Sequence, residues 1–291
     1  MKLVSFSHKG CTRVGAVLAE EVVDLSGQGS SLPSDMVAFL EQGAAAMQQA
    51  RTICDSGRGR LALADVQLEA PIRRPPKILA VGLNYRDHVE ETGRPMPTVP
   101  MIFNKQATSV TGSGGAIWRP QDSADLDYEG ELGVVIGKSC RRVPKAQAAT
   151  VIAGYTIVND VSVRDWQMRS ATTTMGKSWD THCPLGPYIV TTDEVPDPHV
   201  LDLKTWVNGE LRQNSNTKHL IFNCFDIIEH LSTAFTLEAG DVIATGTPSG
   251  VILGMDPKIW LKPGDVVRIA IDQLGVLENP VVDEPTYTVR Y

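Results

Sequence analysis

Three things are missing from this sequence, and each absence removes a class of function. There is no basic stripe: the formal charge is −7 over 291 residues. Nothing is there to neutralise a phosphate backbone, so nucleic acid is not a partner. No apolar run approaches the roughly 20 residues that cross a bilayer, and residues 1–8, Met-Lys-Leu-Val-Ser-Phe-Ser-His, turn polar too early for a signal peptide. A cytoplasmic protein with no membrane partner is expected. Paired cysteines are also missing. Cys11, Cys54, Cys140, Cys183 and Cys224 are scattered, odd in number and never spaced as CxxC. They read as reduced thiols, not as a disulfide framework or a zinc site. Internal repeats and low-complexity tracts are absent as well.

What is there divides unevenly. Short strands are expected over 2–6, 12–19 and 21–25, forming a meander. A helix from Asp35 to about Cys54 follows, with Ser34 as its N-cap and the break at Gly57-Arg58-Gly59. Ala70-Pro71-Ile72-Arg73-Arg74-Pro75-Pro76 carries three prolines and reads as a linker. Beyond it, strands are expected over 77–81, 131–136, 151–158, 186–191, 203–207, 210–213, 241–245 and 266–271. Asn208-Gly209 suits the positive φ angles of a tight hairpin. One amphipathic helix, about Asn223 to Phe235, interrupts them. The boundaries expected are a small domain over 1–70, a linker over 71–76 and a main, mostly β domain over 77–291.

The chemistry gathers on four segments. In Asp127-Tyr128-Glu129-Gly130-Glu131-Leu132 the two glutamates sit two apart on a strand, so they share a face. Paired carboxylates beside an apolar strand repel one another unless a cation sits between them. Asp160 ends the next apolar run, where a strand gives way to a loop. Three oxygen donors with no nearby His or Cys select a hard ion: Mg²⁺, with Mn²⁺ and Ca²⁺ as competitors. The plainer alternative is the solvated face of an edge strand. Gly130 weighs against it, because it leaves the opposite face bare where another backbone or a ligand could approach closely.

His88 and Glu91 lie three apart on a short helix expected after Gly82, so the carboxylate can orient the imidazole as a proton acceptor. An incidental surface pair is the alternative. Arg164, Gln167 and Lys177 bring a guanidinium, an amide and an ammonium close behind Asp160, a set that could clamp a carboxylate or an oxyanion. Otherwise they are solvated cations, with Trp166 and Trp179 as core. The turn Thr245-Gly246-Thr247-Pro248-Ser249-Gly250-Val251 matches neither a P-loop nor a dinucleotide fingerprint. It reads as a loop that binds a carboxylate or carbonyl oxygen, or as a tight turn.

Taken in order, Gly-Leu-Asn-Tyr-x-x-His (82–88), Asp-Tyr-Glu-x-Glu-Leu (127–132), Asn-Asp-Val-Ser-x-Arg-Asp-Trp-Gln (159–167), Gly-Lys-x-x-Asp (176–180) and Thr-Gly-Thr-Pro-x-Gly-Val (245–251) resemble the fumarylacetoacetate hydrolase superfamily. The resemblance runs from about Lys77 onward and is strongest to the branch acting on short acylpyruvates and oxaloacetate. It implies an α+β, predominantly β fold: a mixed β-roll catalytic domain with a small N-terminal α+β domain, assembled as a homodimer. It implies metal ligands at Glu129, Glu131 and Asp160, and a His88–Glu91 dyad on a mobile segment. Arg164, Gln167, Lys177 and Thr247 would meet the oxygens of a small keto-acid substrate.

The activity implied is hydrolysis of a carbon–carbon bond in a 2,4-dioxo acid, giving a carboxylic acid and pyruvate. In it His88 would deprotonate water and Lys177 would stabilise the alkoxide. Oxaloacetate decarboxylation, diketo sugar-acid hydrolysis, a ureidoglycolate lyase-like reaction and isomerisation are the alternatives on the same fold. Ser170-Ala171-Thr172-Thr173-Thr174-Met175 lengthens the loop before Gly176 relative to compact members, which points to a different substrate pocket.

Overall fold

The computed structural model describes residues 1–286. It opens with the expected meander, β1 (Lys2–His8), β2 (Cys11–Leu18) and β3 (Glu21–Asp24). The helix expected over 35–54 is two helices. Asp35, rather than Ser34, caps α1 (Met36–Glu41), its carboxylate accepting from Ala38 N at 3.0 Å. Gly43 then takes φ of 60° and α2 (Gly43–Asp55) starts afresh. A left-handed residue cannot continue a right-handed helix, and glycine adopts one at least cost. The short strands β4 (Arg60–Ala62) and β5 (Gln67–Leu68) follow. Residues 71–76 form neither strand nor helix, yet they are packed: Ile72 is buried, and Ser5 Oγ donates to Pro71 O at 2.7 Å.

Next come β6 (Ile78–Gly82), α3 (Arg86–Glu91), β7 (Met101–Lys105), β8 (Val110–Thr111), β9 (Ile117–Arg119) and β10 (Leu126–Asp127). The central pair is β11 (Gly130–Ile136) and β12 (Ile152–Asn159), followed by β13 (Ser162–Val163), α4 (Arg164–Gln167), α5 (Thr174–Lys177) and β14 (Cys183–Thr191). The chain ends in β15 (Asp202–Val207), β16 (Glu210–Asn216), α6 (Cys224–Ala234), β17 (Val242–Ala244), β18 (Val266–Ile271) and β19 (Gly275–Asp283). Of these, β7, β8, β9, β10, β13 and β19 fall outside the strands expected from the sequence.

The fold is mostly β, in mixed sheets. The large sheet has the order β4-β3-β2-β1-β14-β12-β11-β17-β6-β7, and a five-stranded sheet runs β16-β15-β18-β19-β9. The N-terminal meander is part of the large sheet, because β1 pairs with β14 through Lys2–Val190 and Leu3–Ile189. Alternation on β11 sorts its side chains between two cores. Leu132, Val134 and Ile136 join Leu203, Ile269 and Leu277 of the five-stranded sheet. Val135 belongs to the other core, with Phe39 and Leu40 of α1.

At Gly130 the two sheets approach closely. A Cβ there would lie 2.4 Å from Thr205 Oγ1 and 3.1 Å from Gln213 Oε1. The bare face is therefore filled by side chains of the second sheet. Two local expectations are met. Asn208 (φ 52°) and Gly209 (φ 82°) turn the β15–β16 hairpin, and α6 forms where a helix over about 223–235 is expected, opening on an Asn223–Asp226 capping box.

Candidate metal centre and catalytic cavity

The β11–β12 register builds the acidic cluster. Gly130 faces Asn159 and Glu131 faces Val158. Asp160, one residue past β12, donates its N–H to Glu129 O at 2.9 Å. Ligand oxygens of Glu129, Glu131 and Asp160 lie within 4.8 Å of one another, and all three side chains are buried. Burial of three carboxylates so close together demands positive charge.

Part of that charge comes from the protein. Lys177 Nζ donates to Glu129 Oε2 at 2.8 Å and to Asp160 Oδ2 at 2.7 Å. Lys105 Nζ donates to Asp160 Oδ1 at 2.6 Å and to Val161 O at 3.2 Å. Arg164 Nη2 pairs with Glu129 Oε1 at 2.7 Å and with Asp127 Oδ2 at the same distance. Burial alone would raise the Glu129 carboxyl, but Lys177 and Arg164 hold it well below the usual carboxylate range.

Glu131 is treated differently. Its Oε2 accepts from Gly246 N at 2.7 Å, and it has no lysine or arginine partner among the described residues. Burial, with Asp160 and Glu129 beside it, pushes its carboxyl well above the usual range. An all-oxygen trio with one member short of positive charge fits a hard divalent cation. The donor Gly246 holds φ of 106°, and a Cβ there would lie 2.7 Å from Asn84 Cβ. Only glycine lets the Thr245–Thr247 turn bring that N–H onto the carboxylate.

Glu129 and Glu131 also line a cavity of about 270 Å³, together with His88, Arg164, Gln167, Lys177 and Thr247. His88 sits on α3 with Nδ1 3.2 Å from Glu91 Oε2. The other Glu91 oxygen accepts from Gly250 N at 3.0 Å. The dyad expected from the i,i+3 spacing is thus formed, and Nε2 is the ring nitrogen that Glu91 leaves free. The lengthened loop contributes Ser170, Ala171 and Thr173 to the wall.

Every expected site residue gathers here, but three are engaged differently from a substrate clamp. Arg164 Nε and Nη2 are spent on Asp127 and Glu129, and its Nη1 donates to Gln167 Oε1 at 2.9 Å. Thr247 Oγ1 donates to Gly130 O and accepts from Gln213 Nε2. Lys177 and Arg164 are buried instead of solvated, while Trp166 and Trp179 pack edge to face at 5.0 Å.

Two participants escaped the sequence reading. Lys105 is a lone lysine closing a strand, a pattern identical to a surface lysine. Asp127 lay inside a motif without a role; it accepts from Tyr128 N, Ile252 N and Leu253 N as well as Arg164. Its signal was the third acidic residue in Asp127-Tyr128-Glu129-Gly130-Glu131, two before Glu129 on an extended chain.

Known proteins resemble this chain over nearly its whole length. The chain is 43% identical over 288 residues to the mitochondrial oxaloacetate tautomerase of Xenopus laevis, covering 97% of this chain and 90% of that protein. That relative is mitochondrial by name, whereas a cytoplasmic protein is expected from the sequence; among the described residues no helix is long and apolar enough to cross a membrane. The solved structure of a fumarylacetoacetate hydrolase from Exiguobacterium antarcticum superposes with a TM-score of 0.85 at 36% identity, over 98% of this chain and 100% of that one. A maleylpyruvate hydrolase from Sphingobium sp. SYK-6, in complex with manganese(II) and pyruvate, does so with a TM-score of 0.81 at 33% identity and the same coverage. The fumarylacetoacetate (FAA) hydrolase C-terminal family matches residues 77–282, and with that match the chain belongs to the fumarylacetoacetate hydrolase family.

Proposed function

We propose that this enzyme moves a proton at C3 of a short 2-oxo acid whose C4 is a second carbonyl or carboxyl carbon, interconverting keto and enol forms. Oxaloacetate is the best-supported substrate, through the 43% identity to a protein named oxaloacetate tautomerase. The observation that carries the reading is a histidine oriented by a carboxylate, opening onto the same cavity as Glu129 and Glu131 of the buried acidic trio.

Glu129, Glu131 and Asp160 would hold a divalent cation, Mg²⁺ in our reading, which when bound supplies Lewis-acid polarisation of a chelating 2-oxo acid. His88 Nε2 takes the C3 proton and returns it, while Glu91 fixes the ring and offsets the charge it gains. Lys177 remains an ammonium: burial alone would lower it, but Asp160 and Glu129 hold it raised. It acts by charge, steadying the negative oxygen, not as a base. Arg164 holds Glu129 and Gln167 in place. Val81, Met101 and Phe103 supply apolar wall that limits water at the reacting carbon.

Hydrolytic carbon–carbon cleavage of a 2,4-dioxo acid, the reaction expected from the sequence, is the second reading. The same dyad can deprotonate a water, and the similarity to a maleylpyruvate hydrolase favours it. Purified enzyme with Mg²⁺ is given oxaloacetate and acetylpyruvate, following the ultraviolet enol band and pyruvate release in parallel. Fast enol loss without pyruvate supports proton transfer; stoichiometric pyruvate and acetate from acetylpyruvate supports hydrolysis. His88→Asn should lower the favoured rate by about 10²- to 10⁴-fold. An unchanged rate would remove His88 from the chemistry.

A further inference from the structure

Positive charge in the cavity is almost entirely committed. Lys177 is bound to Glu129 and Asp160, and Arg164 to Asp127, Glu129 and Gln167. His88 faces Glu91. One further cation lines the same cavity: Arg94. Among the described residues its guanidinium makes no hydrogen bond, ion pair or ring contact.

Its backbone is not loosely placed. α3 ends at Glu91, Gly93 turns left-handed at φ of 64°, and two hydrogen bonds close the turn. Gly93 N donates to Glu90 O and Arg94 N donates to Val89 O, each at 3.2 Å. This pairing locks a helix terminus. Arg94 therefore stands on the capping turn of the helix that carries His88 and Glu91. Arg94 is exposed and lines the chamber, and a planar guanidinium with no protein partner there can meet the carboxylate of an oxo acid in bidentate fashion.

We propose that Arg94 is the subsite for a second, distal carboxylate, so that the preferred substrates are 2-oxo dicarboxylates and not acylpyruvates with a neutral acyl group. This rests on the proposed function, since it assumes that the acidic trio takes the oxo-acid end. The neighbouring wall agrees with a short ligand: Met101, Met168 and Leu253 offer apolar surface but no charge. The volume of about 270 Å³ lies at the small end for ligand pockets.

The test compares Arg94→Ala and Arg94→Lys with the parent, using oxaloacetate, its 4-methyl ester and acetylpyruvate. A partly solvated charge-assisted contact predicts that Arg94→Ala raises KM for oxaloacetate by about 10- to 100-fold. The ester and acetylpyruvate should change less than about twofold, and Arg94→Lys should recover part of the loss. Calorimetric binding of 3,3-difluorooxaloacetate, which has no C3 proton to move, reads the subsite without turnover. A parent protein that binds this probe Arg94-dependently but transforms no 2-oxo acid overturns the proposed function and leaves the subsite standing. Equal losses on charged and uncharged substrates, or no loss of probe binding in Arg94→Ala, overturn the subsite.

Discussion

Replacing Lys177 with methionine separates the two jobs its ammonium does. The change keeps side-chain length and removes one charge from a buried set of four carboxylates (Asp127, Glu129, Glu131, Asp160) and three cations (Lys105, Arg164, Lys177). Two hydrogen bonds disappear at once, to Glu129 at 2.8 Å and to Asp160 at 2.7 Å. Stripping one partner from a buried ion pair costs about 3–5 kcal/mol, because the abandoned charge stays desolvated. Arg164 and Lys105 still hold the outer oxygens of those carboxylates, which argues for the lower end. For a chain of this size the cost is a fall in Tm of about 6–12 °C for the metal-free protein.

A divalent cation should reverse that fall. With the ammonium gone, two carboxylates face the ion uncontested and its affinity rises. At about 100 times Kd the ion returns about 2.7 kcal/mol. Differential scanning fluorimetry with chelator, and then with Mg²⁺ or Mn²⁺, reads both quantities, while turnover is lost in either state. A chelated Lys177→Met protein that melts at or above the parent, or whose metal-induced rise is smaller than the parent's, would refute the charge argument.

Two further outcomes follow from single residues. Gly246→Ala places a Cβ 2.7 Å from Asn84 Cβ at φ of 106°, so it should cost about 1–3 kcal/mol in unfolding titrations. It should also weaken metal binding by drawing the 246 N–H off Glu131; unchanged metal affinity would break that link. His182 is buried, its Nε2 set against Trp118 O at 2.7 Å. Burial lowers its pKa to about 3 despite that bond. The unfolded chain then takes up a proton below about pH 6.5 that the folded chain refuses, so stability is intact above that pH and lost as pH falls toward 3. From pH 6.5 to 5 this group alone should remove about 2 kcal/mol, and His182→Asn should flatten the urea-derived slope; parallel slopes would contradict the assignment.

The acidic trio was legible because it depends on strand period and strand end alone. Glu129 and Glu131 are two apart, and Asp160 lies two residues past an apolar run that becomes the strand paired with β11. The dyad was legible for the same local reason, an i,i+3 spacing. What surrounds them was not. Nothing within a few residues tells a buried Lys105 from a solvated one, since its burial is set by Asp160, 55 residues away. Arg164 and Lys177 carried the right charge, but their direction depends on where β11 runs beneath them. The break at Gly43 hid inside an alanine-rich stretch, where one glycine costs a helix only about 1 kcal/mol. Gly130 announced a close neighbour without naming it, and the neighbour belongs to a sheet formed about 75 residues later.

Glu91 divides its two oxygens between different parts of the molecule, one toward the imidazole and one toward the amide of Gly250. On the proposed reading, a single side chain therefore reports whether its helix is seated before it arms the base. Were α3 to lift, the carboxylate would part from Gly250 and its hold on the ring would slacken. Exchange with bulk water would then take place over a disarmed site, and a labile oxo acid would be spared unproductive protonation while the chamber stood open.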